Sequence, residues 1–150
     1  MSSIKFNSEC VHVVFLGLPN VPGIASEIFK TLSEHSIGVD MVTQNTMRGG
    51  RSDLSFLIQK DKLDEVISLC KDLSAALGGQ GVSFTSEVAA IRIPIEKPED
   101  AAKTLAKIFS TLAAANVNIE IINSTPISVM VLVNSAGAES GFKALESVFN

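Results

Sequence analysis

The chain has 150 residues, 46% of them hydrophobic, and a formal net charge of −4. That content supplies one ordinary core or two small ones sharing an interface, which excludes a disordered or fibrous chain. Basic residues are scattered rather than clustered, no apolar run reaches the roughly 20 residues of a membrane span, and Met1 to Phe6 lack a signal-peptide core, so no nucleic-acid or membrane partner is expected and a cytoplasmic location follows.

Short strands are expected around Ile4 to Asn7 and again around Val82 to Thr85, each placed to form a hairpin with the strand after it. Val11 to Gly17 is a β-branched run that reads as a buried strand, and Leu18-Pro19-Asn20-Val21-Pro22-Gly23 is a loop rich in turn residues. From Ile24 the period becomes helical, with Ile24, Ile28, Phe29 and Leu32 on one face. Ile37, Val39 and Met41 then alternate with polar residues as a half-buried strand, Arg48-Gly49-Gly50 turns the chain, and Leu54, Phe56 and Ile58 bring it back. Leu63, Val66, Ile67, Cys70 and Leu73 restore the helical period until Gly78-Gly79. The same order follows once more: strand Val88 to Ile95, helix near Asp100 to Ala115, strands Val117 to Thr125 and Ile127 to Asn134, and a last helix near Ala138 to Phe149.

Self-comparison explains that recurrence. Phe6-Asn7-Ser8-Glu9 reappears as Phe84-Thr85-Ser86-Glu87, Ile28-Phe29-Lys30-Thr31-Leu32 as Ile108-Phe109-Ser110-Thr111-Leu112, and Ile37-Gly38-Val39-Asp40-Met41 as Val117-Asn118-Ile119-Glu120-Ile121. The chain is a duplication, divided for this reading into 1–78 and 79–150. No strand-like segment follows the final helix, so the fourth strand of each sheet has to come from the leading segments. The expected class is α+β: tandem ferredoxin-like βαββαβ modules, antiparallel sheets with helices on one face. The strand Ile127 to Val133 is apolar on both faces, which calls for cover by another sheet or subunit.

Val21-Pro22-Gly23-Ile24-Ala25-Ser26-Glu27-Ile28-Phe29, continued by Ile37 to Asn45 and by Ser52-Asp53-Leu54-Ser55-Phe56, resembles the first ACT domain of aspartokinase regulatory regions. Val117-Asn118-Ile119-Glu120-Ile121-Ile122-Asn123-Ser124-Thr125 is similar to a strand of that family's second ACT domain, so the resemblance covers nearly the whole chain. It implies feedback sensing of lysine or threonine at an inter-module or dimer interface, a homodimer, and an aspartate kinase catalytic domain or subunit as partner. Carried over by position, it implicates Asn20, Pro22, Gly23, Ile24, Ala25 and Gln44 with Asn118 and Ile119 in effector binding. Physical chemistry supports the first group: backbone N–H groups at a helix start suit a carboxylate, and the carbonyls of Asn20 and Gln44 suit an ammonium.

Two departures stand out. Asn20 occupies a position where the family commonly has Asp. In the second copy Lys97-Pro98-Glu99-Asp100 replaces the Pro-Gly loop, setting carboxylates where a ligand carboxylate would dock, so no equivalent second site is expected.

The remaining polar residues read as structural. Cys10 and Cys70 lie far apart with no ligand spacing, so both are expected as buried thiols without a metal or disulfide. His12 falls inside an apolar strand and His35 at a helix end. No nucleophile, metal or phosphate-loop motif occurs, so no catalytic residue and no cofactor are expected. The kinase opening of the family, Lys-Phe-Gly-Gly-Thr, is not in this sequence. A regulatory subunit, a fragment of a kinase and a free-standing sensor therefore all stay open, beside a ligand-free ACT module that only assembles subunits.

Overall fold

β-Branched residues favour extended backbone. After a short β1 (Lys5–Asn7) they build β2 (Cys10–Pro19), whose Val11, Val13 and Phe15 are fully buried. The structure is a computed structural model and describes residues 3–149. β2 runs past the expected end at Gly17 because the chain makes a bulge there: Gly17 adopts φ +56 and the register slips between Phe15 and Leu18. The left-handed backbone favours glycine there, and a side chain would also have to displace the end of the Gln80 side chain.

The elements that follow are α1 (Ile24–Glu34), β3 (Asp40–Met47), β4 (Arg51–Gln59), α2 (Leu63–Ala76) and β5 (Gly81–Thr85). The second series is β6 (Val88–Pro94), α3 (Ala101–Ala114), β7 (Ile119–Ser124), β8 (Ser128–Asn134) and α4 (Ser135–Phe149). The last helix starts earlier than expected because the Asn134 side chain accepts the Ala136 N–H at 2.9 Å and caps it.

The chain folds as two units, one spanning Cys10–Ser86 and the other joining the described residues up to Glu9 to those from Glu87 onward. In the first, the antiparallel sheet has the order β3-β4-β2-β5, and β2-α1-β3-β4-α2-β5 is a complete βαββαβ module. In the second, the order is β1-β6-β8-β7. The expected α+β, ferredoxin-like class holds in both.

The pairing of the leading segments does not follow expectation. Lys5, Phe6 and Asn7 pair with Arg92, Ile91 and Ala90 of β6, and β5 pairs with β2. Each leading segment thus serves the other copy, and neither forms a hairpin with the strand after it. The compact units consequently depart from the division at 78 and 79. The connectivity allows this: α2 returns the chain beside β2, whose open edge β5 takes. The edge of β6 is then left for β1, which also brings Ile4 into the second core.

Each unit has its own core on the helical face of its sheet. In the first, Ile28 and Leu32 of α1 and Val66 and Cys70 of α2 meet Val13, Phe15, Leu54 and Phe56. In the second, Ile108, Leu112, Ala138 and Leu145 meet Ile91, Ile93, Val129 and Val131. Val129 to Val133 are buried without interruption, whereas Ile127, expected to begin this apolar strand, precedes it and is 73% exposed.

The duplication extends to backbone detail. Ser36 and Asn116 both take left-handed backbone, φ 56 and 59, after α1 and α3. The N–H of Ile37 then reaches the Leu32 carbonyl, and that of Val117 the Leu112 carbonyl, at 2.9 Å each. The strands after these turns begin later than their hydrophobic alternation implies. Asp40 starts β3, and Met41 has φ 52 in a bulge between Asp40 and Thr43, so Val39 is exposed while Ile37 and Met41 are buried.

Both cysteines are buried and neither is in a disulfide, and burial pushes the Cys70 thiol up to about 12. His35 caps α1 with its ring Nδ1 2.9 Å from the Thr31 carbonyl, and His12 stands half-buried in β2.

Candidate effector site

The loop between β2 and α1 closes over a pocket of about 420 Å³ within the first unit. Asn20, Pro22, Gly23, Ile24 and Ala25 line it together with Gln44, so six of the eight residues implicated by sequence share one cavity. Asn118 and Ile119 belong to the other unit, the first exposed just before β7 and the second half-buried at its start.

Gly23 is the N-cap of α1 and takes φ 95, ψ −16. This left-handed conformation ends the loop abruptly and starts the helix without a side-chain cap. The first intrahelical bond runs from the Glu27 N–H to the Gly23 carbonyl at 3.1 Å. The N–H groups of Ile24, Ala25 and Ser26 have no acceptor among the described residues, and all three residues line the pocket. They add the positive end of the helix dipole to three free donors.

Acceptors stand across from them. Gln44 on β3 donates its Nε2 to the Ser52 hydroxyl at 3.4 Å, which leaves its Oε1 uncommitted. Ser52 on β4 is 1% exposed and lines the same pocket, and Leu18, also 1% exposed, adds an apolar floor.

Sequence reading missed Ser52. Its burial depends on pairing with Leu18 beyond the Gly17 bulge, a register that strand periodicity does not reveal. Arg51 carried no role in the sequence reading, yet its Nη1 donates to the carbonyls of Gly17 at 2.9 Å and Gly78 at 2.8 Å. Asp53 accepts the Gly17 N–H at 2.8 Å, and the Gly50 carbonyl accepts the Asn20 N–H at 2.8 Å. The bulge, the β3–β4 turn and the pocket loop are therefore one hydrogen-bonded frame.

The second copy is built differently at the matching place. Pro98–Asp100 forms a 3-10 turn ahead of α3, in which the Asp100 N–H bonds the Lys97 carbonyl at 2.9 Å and the Ala101 N–H bonds that of Pro98. Pro98 has no N–H to offer. The N–H groups of Asp100 and Ala101 are engaged there, and Glu99 and Asp100 add negative charge.

The family model described as the ACT domain matches residues 11–72 and 100–149, one segment in each unit. The chain belongs to the ACT domain family. An aspartokinase of Helicobacter pylori is 30% identical over 149 residues, which is 99% of this chain and 36% of that protein. This ACT pair thus spans about a third of the length of the curated relatives it matches. The ligand-free crystal structure of the regulatory subunit of aspartate kinase from Thermus thermophilus superposes with a TM-score of 0.88 at 25% identity, over 99% of both chains. The crystal structure of E. coli aspartokinase III in complex with lysine and aspartate shares the fold, with a TM-score of 0.70 at 19% identity over 97% of this chain and 32% of that one. Two ACT modules, each with the fold found in aspartokinase regulatory subunits, are what these likenesses establish.

Among the described residues no group of three or more His, Cys, Asp or Glu side chains is placed to hold a metal ion, and no helix is long and apolar enough to cross a membrane.

Proposed function

We propose that the pocket at the start of α1 binds a free amino acid, lysine or threonine, and that the ACT pair thereby regulates an aspartate kinase catalytic domain or subunit. The observation that carries this reading is the trio of free N–H groups at Ile24, Ala25 and Ser26, set opposite the Gln44 and Ser52 side chains. An α-amino acid presents a carboxylate and an ammonium a short distance apart. A helix start and a pair of neutral acceptors complement that pair of charges. The full-length likeness to a regulatory subunit of aspartate kinase, and the lysine in a complex of the same fold, support the choice of ligand class. The contribution of Asn118 and Ile119 belongs to this proposal and rests on the resemblance alone. A bound ligand regulates by favouring one of two states of the attached enzyme, in proportion to its difference in affinity for them.

A second reading, an ACT module that only assembles subunits into a homodimer, is favoured by the outer edge of the first sheet. β3 is an edge strand, and Val42 and Met47 on it are 43% and 51% exposed. Melting temperature against a panel of free amino acids separates the two. A ligand at about 100 times its dissociation constant adds roughly 2.7 kcal/mol. A shift confined to lysine or threonine is expected, and a flat panel at millimolar ligand would leave only assembly.

A further inference from the structure

Resting on that reading of the pocket, we infer that it selects amino acids with a neutral side chain over those with a cationic one. The pocket is lined by no Asp, Glu, Lys or Arg. Asp53 lies next in sequence to the floor residue Ser52, but its carboxylate is turned to the Gly17 N–H. Glu27, in the first turn of α1, stands exposed and outside the lining. A zwitterion is satisfied without these groups. Its carboxylate takes the free N–H groups of the helix start, and its ammonium takes the neutral oxygens of Gln44 and Asn20.

A second cation finds no such partner. Room does not exclude a lysine side chain from about 420 Å³, so charge decides. The lysine ammonium must either shed water against Leu18 and Ile24 or extend past the exposed Val21 at the rim, leaving the interior contacts unmade. A small neutral side chain meets the opposite situation. The Ser52 hydroxyl is 1% exposed, and its oxygen receives the Gln44 amide while its own proton has no acceptor among the described residues. A ligand hydroxyl completes it.

Calorimetric titration of the full chain with threonine, lysine and norleucine, a neutral analogue of lysine, tests this. Threonine is expected to bind roughly tenfold or more tightly than lysine, and norleucine at least as tightly as lysine. Asn20→Asp, at an exposed position, should supply the missing anion and shrink the threonine-to-lysine ratio about fivefold or more. Lysine binding as tightly as threonine to the unmodified chain, or a ratio unmoved by N20D in a variant whose circular dichroism is native, would overturn the inference and leave amino-acid binding intact. Absence of heat with all three ligands would overturn both.

Discussion

Gly23 permits a two-variant experiment in which strain and ligand chemistry part company. Its φ of 95 is costly for any L-residue, about 1–2 kcal/mol, while a Cβ built on it meets nothing within 4 Å. Gly23→Ala therefore loses backbone comfort and no packing. The more restricted unfolded chain returns about 0.4–1 kcal/mol, so a net loss near 1 kcal/mol is expected. Gly23→Asp carries the same strain, offset by about 0.3–1 kcal/mol from an anion at the helix start, and should be no less stable than the alanine variant. Their ligand responses should diverge. The aspartate carboxylate sits against the donors of Ile24, Ala25 and Ser26 and displaces a ligand carboxylate, each charge-assisted bond so lost being worth about 1.5–3 kcal/mol. Melting with and without saturating threonine or lysine reads both effects, at roughly 4–8 °C per kcal/mol for a unit of this size. The alanine variant should keep most of the ligand-induced shift and the aspartate variant none. A wild-type shift in Gly23→Asp would refute carboxylate docking at this helix, and a loss above about 4 kcal/mol in Gly23→Ala would refute the claim that only strain is at stake.

Two further changes probe the frame around the site. Arg51→Ala removes the donors to the Gly17 and Gly78 carbonyls and should cost about 2 kcal/mol in urea unfolding, with Arg51→Lys restoring only part because an ammonium lacks the guanidinium's planar fork. Deleting the residues before Cys10 removes β1 and Ile4 from the second core. Amide hydrogen exchange should then accelerate in β6 (Val88–Pro94) while β2 and β4 stay protected; acceleration confined to β2 would restore the hairpin pairing and refute the observed one.

Much of this architecture was legible because it is written in periodicity. The helical faces through Ile28 and Leu32 and through Val66 and Cys70 are buried as their spacing requires, and the duplication is visible in residues that later occupy equivalent turns. Pro22-Gly23 before an apolar helix marked only a helix-entry turn, and the ligand role given to that loop came from the family resemblance. What escaped were features decided by pairing between distant segments. Local pattern identifies β1 and β5 as strands but says nothing of which edge each will find. The bulges at Gly17 and Met41 shift register by amounts that no alternation records, which is why Val39 was placed on the wrong face and Ser52, though placed on the returning strand, was not placed in the pocket.

The two copies differ at the starts of their first helices and agree at the ends. Both copies retain the same helix ending, since the hydrogen bonds of Ile37 and Val117 close the first helix of each unit and seat a buried side chain. Changing that turn would disturb a core. The helix starts face outward and are free to differ. Gly23 leaves three N–H groups open, whereas Pro98-Glu99-Asp100 folds the same region into a 3-10 turn, engages the Asp100 and Ala101 N–H groups and adds two acidic residues. The alteration leaves the core around Ile108 and Leu112 fully buried, so it carries little structural penalty. Stability therefore constrains the helix ends through a core, whereas at Gly23 it acts only through the left-handed backbone, at a cost of about 1–2 kcal/mol for another residue.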